Sequence, residues 1–98
     1  MNDIVKFLIN RAENREKRGD VKGALDDLRT ALGATNKSEI QIKLLKDISD
    51  ILLQEGEPRE ALQYLKRLEK LRPNEAYPFY MLGTAHSLIM ELKEALRY

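Results

Sequence analysis

A chain of 98 residues with 43% apolar content suffices for one small domain and a modest core, but not for a core plus a deep catalytic cavity. With 17 basic and 16 acidic side chains the formal charge is +1, so no global field favours nucleic acid, anionic lipid or an acidic substrate. The absence of cysteine excludes disulfides, thiolate metal sites and a cysteine nucleophile, and no segment approaches membrane-spanning length, so no membrane insertion is expected.

Ile4, Phe7, Leu8 and Ala12 keep helical spacing and predict a first helix running to Arg18. It ends at Gly19, where a residue without Cβ reverses the chain at little cost. The apolar run Ile4 to Ile9 is interrupted by Lys6 and followed by Arg11, unlike a secretory signal, which suits a cytoplasmic protein or a cytoplasm-facing domain. Val21, Ala24, Leu25, Leu28, Ala31 and Leu32 form the stripe of a second helix, closed by Gly33 and the polar loop Thr35-Asn36-Lys37. The two helices are predicted to form a hairpin.

Ser38 with Gln41 three residues on resembles a capping box and marks the start of a third helix. Its stripe of Ile42, Leu45, Ile48, Leu52 and Leu53 ends at Gly56. Pro58 then suits the first turn of a fourth helix, where its missing N–H costs little. Ala61, Leu62, Leu65, Leu68 and Leu71 are expected to form that helix's buried face, and Pro73 to stop it. Asn74 and Pro78 open a fifth helix with Phe79, Leu82, Gly83 and His86 at helical spacing, and neither Gly nor Pro follows before Tyr98.

An acid leads an Ala-Leu pair three times: Gly19-Asp20 before Ala24-Leu25, Gly56-Glu57 before Ala61-Leu62, and Met90-Glu91 before Ala95-Leu96. Ala24 and Ala61 lie 37 residues apart, Ala61 and Ala95 34 apart, and such a period in a strand-poor sequence belongs to arrays of helix pairs. In this register Phe79-x-x-Leu82-Gly83-x-x-His86 followed by Ala95 resembles the tetratricopeptide repeat signature. The middle unit places Leu45, Ile48-Ser49, Leu52, Ala61, Leu65, Leu68 and Pro73 on the matching positions. The first unit fits at Leu8, Ala12, Gly19, Ala24, Leu28 and Ala31. It carries Arg11 and Arg15 where apolar residues are usual, as a water-facing end of the stack would.

The resemblance implies an all-α fold, a right-handed α-solenoid of helix-turn-helix hairpins. It would form a single domain over 1–98 with units of about 1–36, 37–75 and 76–98, the last incomplete. Ala12, Ser49 and Gly83 are expected to be small where the helices of a pair cross, and Ala24, Ala61 and Ala95 where neighbouring pairs pack. Met90 stands where Gly19 and Gly56 stand, which leaves two outcomes open for the last unit: a hairpin, or one long helix.

His86 is the only histidine and is expected to pack in the core, because no cysteine or second histidine accompanies it. Asp26-Asp27 and Asp47 with Asp50 lack the glycine and ligand spacing of a calcium loop and are expected on solvated helix faces. No phosphate loop, nucleophile elbow or HExxH is present, so no catalytic residue, metal or cofactor is expected, and the protein is read as a non-enzyme. Arg11, Arg15, Lys17 and Arg18 alternate with Glu13, Asn14 and Glu16, a mixed-charge helix surface rather than a phosphate-binding one, so no nucleic-acid partner is expected.

The family resemblance implies a protein–protein interaction scaffold that receives a peptide or helix of a partner in a concave groove lined by the first helix of each pair. Carried over by register, this surface comprises Lys6, Ile9, Asn10 and Glu13, then Lys43, Lys46, Asp47 and Asp50, then Tyr77, Tyr80, Met81 and Thr84. Some relatives clamp a terminal carboxylate there with basic residues. Ile9, Glu13, Asp47, Tyr77 and Met81 occupy the corresponding positions, so a partly apolar partner with a basic group near Asp47 and Asp50 is expected instead. The alternative is self-association into a homo-oligomer through Leu88, Ile89, Leu92 and Leu96.

Overall fold

The computed structural model describes residues 3–72 and 76–97, without the side chains of 76, 77 and 95–97. The described residues form five helices and no strand: α1 (Asp3–Lys17), α2 (Val21–Ala34), α3 (Ser38–Gln54), α4 (Pro58–Leu71) and α5 (Ala76–Arg97). Each helix packs on the next in chain order. The radius of gyration is 14.2 Å, against roughly 13 Å for a compact chain of this size, and the extents of 48 × 34 × 17 Å describe a slab.

The reversals inside the two hairpins, α1–α2 and α3–α4, are glycine turns. Gly19 and Gly56 adopt φ of +84° and +75°, a conformation in which an L side chain is strained. The Gly19 and Glu57 amides donate back to the carbonyls of Glu16 and Leu52, so these turns satisfy helix-end carbonyls. The Asp20 carboxylate then accepts the Gly23 N–H at 3.0 Å and caps α2, and Pro58 occupies the first turn of α4.

At α3 the capping differs from the sequence expectation. Lys37, not Ser38, holds the cap position and gives no side-chain bond, while the Gln41 amide donates to the Thr35 carbonyl at 3.2 Å. Gln41 therefore ties the helix to the loop before it, and no capping box forms.

The core runs through the two hairpins. Leu44, Leu45, Ile48, Leu52, Leu65 and Leu68 are fully buried, and Ala12, Ala24, Ala31 and Ala61 are closed off where small side chains let helices approach. Ser49 is also buried, with its hydroxyl lacking a hydrogen-bond partner. The buried stripe of α1 is Val5, Leu8, Ile9 and Ala12. Ile4 and Phe7, predicted within that stripe, are exposed, because the α1–α2 contact is centred one position further round the helix. Leu71, predicted on the buried face of α4, is exposed at the last turn of that helix.

The last unit does not form a hairpin. α5 runs unbroken for 22 residues through Met90, about 33 Å at 1.5 Å per residue. Its contact with α4 is made by Pro78 and Ala85, both buried, with Met81 and Leu82 packed against the core. Phe79, Gly83 and His86 are exposed, contrary to the expected core stripe. Those positions would meet the second helix of a hairpin, and with α5 continuous no described element folds back onto them. The expectations for Pro73, Asn74 and Tyr98, and for the side chain of Ala95, fall outside the described residues.

Candidate interaction site

Two surfaces combine exposure with apolar character. The first is a cleft of about 460 Å³ between α1 and α3, with Ile9 and Ile40 along its floor and Lys6, Glu13, Glu39 and Lys43 at its edges. The helical periods of α1 and α3 bring Lys6, Asn10 and Glu13 of one helix alongside Ile40 and Lys43 of the next first helix. Lys43 also bonds Asp47 one turn on, at 3.3 Å. This is an exposed pair worth a few tenths of a kcal/mol at most, about 0.3–0.5, so it leaves both charges available to a competitor. Lys46, Asp47 and Asp50 are half-buried further along α3 and do not line the cleft.

The second surface is the outer face of α5, a shallow depression of about 530 Å³ that runs from Phe79 and Tyr80 past Gly83, Thr84 and Ser87 to Leu88 and Glu91. Phe79 is 78% exposed and Tyr80 72%, values rare for aromatic side chains of a folded helix. The Thr84 hydroxyl donates to the Tyr80 carbonyl at 3.2 Å and is satisfied within its own helix. Tyr80 and Thr84 thus share one surface, separate from the α1–α3 cleft. Met81 turns to the core side, and the Tyr77 side chain lies outside the described set. Of the residues expected to drive self-association, Leu88 and Ile89 are half-buried, Leu92 is 40% exposed, and the side chain of Leu96 is not described.

The sequence held a signal for this face. From residue 76 to 90 no Asp, Glu, Lys or Arg occurs, in a chain that is 34% charged. A helix with one solvated face ordinarily carries charge there.

Asp27, expected on a solvated face, is 2% exposed. Arg11 grips it with two bonds, Nη2 to Oδ1 at 2.7 Å and Nε to Oδ2 at 3.0 Å, and Arg15 Nη1 reaches Oδ1 at 3.3 Å and the Gly23 carbonyl at 3.3 Å. The Arg11 bonds outweigh the effect of burial and hold the Asp27 carboxyl below its ordinary range. Arg11 and Arg15 therefore form an ionic clamp between α1 and α2, and the Phe7 ring centroid lies 5.2 Å from the Arg11 guanidinium.

A second polar tie joins the two hairpins. Arg29 of α2 donates to the Tyr64 hydroxyl of α4 at 3.0 Å and pairs with Glu60. Burial works against the Arg29 charge, but the Tyr64 bond and the Glu60 carboxylate more than offset it. Among the described residues no group of three or more His, Asp or Glu could hold a metal ion, and no helix is long and apolar enough to cross a membrane. In comparison with known proteins, no family model and no curated sequence matches the chain.

Proposed function

We propose that the chain is a tetratricopeptide-like array, a short α-solenoid of two hairpins and one long helix, that acts as a protein-binding scaffold. The observation that carries this is the cleft between α1 and α3. It overlaps the surface that the repeat register assigns to a partner at Lys6, Ile9, Asn10, Glu13 and Lys43, and it joins an apolar floor to rims of both charges. Such a trough suits an extended peptide or an amphipathic helix, whose apolar residues contact Ile9 and Ile40 while its polar groups meet Lys6, Glu13 and Lys43. The role is binding rather than catalysis.

The test is to map the segment of a captured partner that binds, then measure its affinity for Ile40→Asp and Lys43→Glu. Each is expected to weaken binding by about tenfold or more with helicity unchanged. Equal affinity in both variants overturns the assignment of the cleft. A second function, self-association, is favoured by a different observation: the aromatic face of α5, where Phe79 and Tyr80 are exposed.

A further inference from the structure

The solvated face of α4 carries charge of one sign. Arg59, Gln63, Lys66, Arg67 and Lys70 are exposed and fall within a sector of about 100° at 3.6 residues per turn, opposite the buried Ala61, Leu65 and Leu68. The row holds four cations and no carboxylate over about 16 Å of helix, in a chain whose charges otherwise nearly cancel. Among the described residues none of the four cations forms an ion pair.

The helix itself gains little from this arrangement. Lys66 and Lys70 stand one turn apart, as do Arg67 and Lys70, and like charges at those spacings weaken a helix. The helix dipole favours Lys70 in the last turn but opposes Arg59 in the first. The repeat does not require the row either. At the equivalent positions α2 carries Lys22, Asp26, Arg29, Thr30 and Gly33, and its Arg29 is taken up by Tyr64 and Glu60.

We infer that the outer face of α4 is a docking surface for an acidic polypeptide segment, which lies along the helix with its carboxylates on Arg59, Lys66, Arg67 and Lys70. The surface is on a different helix from those that line the α1–α3 cleft, and the inference does not rest on the cleft. Charge sets the class of occupant, because unpaired cations in a row complement an anion. Width narrows it. Glu69 stands on one edge of the row and the Arg29–Glu60 pair on the other, so the positive strip is one helix face wide. A duplex or an anionic bilayer covers a far broader surface and would meet those carboxylates as well. A single nucleic-acid strand is narrow enough, but its binding draws on exposed aromatic side chains that stack with bases. The row has none, and the nearby Tyr64 is held by Arg29. Spacing also suits a polypeptide: alternate side chains of an extended chain lie about 6–7 Å apart, close to the separation of about 6 Å between Lys66 and Lys70 along the helix axis.

The probe is a labelled polyglutamate peptide of about ten residues, which overspans the row when extended. Fluorescence anisotropy at about 50 mM salt should show it binding the parent protein, with affinity lost as salt rises toward about 0.5 M. Lys66→Gln combined with Lys70→Gln should weaken binding by about tenfold and keep or raise the melting temperature, because repulsion within α4 is relieved. Lys17→Gln combined with Arg18→Gln removes the same charge from the mixed surface of α1 and should change affinity by less than about twofold. Ile40→Asp, in the cleft, should leave peptide binding unchanged, which separates this surface from the cleft. Oligothymidylate and phosphatidylserine vesicles supply the rival anions. No peptide binding at about 1 mM protein, or equal losses in the two double variants, overturns the inference. So does an oligonucleotide or a vesicle that binds more tightly than the peptide and is released by the Lys66 and Lys70 substitutions.

Discussion

At Gly19 and Gly56 the backbone passes through φ of +84° and +75° and the chain folds back, whereas at Met90, which holds the same place in the sequence repeat, α5 runs straight on to Arg97. An acid and an Ala-Leu pair follow all three positions. The difference lies in the reversal itself: a side chain at positive φ is strained, and methionine is a strong helix former, so the third unit extends instead of closing. In the hairpins, each first helix is covered by its own successor. In α5 the corresponding face, with Phe79, Gly83 and His86, stays uncovered. The turn position thus separates units that bury their apolar side within the hairpin from one whose corresponding face stays exposed.

The largest expected contrast between the two regions is in core truncation. Leu65 is fully buried between the hairpin helices, so Leu65→Ala should cost about 2–5 kcal/mol. Leu92→Ala, on the overhanging part of α5, should cost less than about 0.5 kcal/mol in dilute solution. Chemical denaturation of both variants measures it, and equal losses would mean that α5 is as tightly integrated as the hairpins.

A smaller effect is expected at the ionic clamp, which belongs to the first hairpin alone. Asp27→Ala removes the bidentate partner of Arg11 and should cost about 2 kcal/mol, the scale of hydrogen bonds to a charged group. The pH dependence has a definite sign. Asp27 titrates lower folded than unfolded, so its contribution is fully present above the ordinary carboxylate value of about 3.9 and is lost as pH falls through the folded value. Asp27→Asn should flatten the acid limb of the stability profile. An unchanged acid limb would show that the clamp contributes nothing to the hairpin.

Much of this was legible before the fold was known, and the exceptions share a cause. Helix existence and the two glycine turns follow from local chemistry: stripe period, Gly19, Gly56 and Pro58. Phe79 and His86 were misplaced because helical spacing fixes which residues share a face, not whether anything covers it. That depended on whether the chain turned at Met90. Asp27 was misplaced for a related reason. Its burial depends on Arg11, 16 residues earlier, and only the packing of α1 on α2 brings the two together. The α1–α3 cleft was visible only through the repeat register, which set Lys6, Asn10 and Glu13 beside Lys43.

The finest separation of the two regions comes from one substitution made twice. At Gly56, alanine must adopt φ near +75°, and the strain of roughly 1–2 kcal/mol falls on the folded state. At Gly83, alanine enters ordinary helix with no atom within 4 Å of the new Cβ, so it should stabilise the chain by roughly 0.5–1 kcal/mol. The same methyl group is therefore expected to lower the melting temperature at one site and raise it at the other. Melting curves of the parent and both variants at one concentration measure the two shifts, and a loss at Gly83 as large as that at Gly56 would mean that position 83 is not the open, ordinary helix that its surroundings describe.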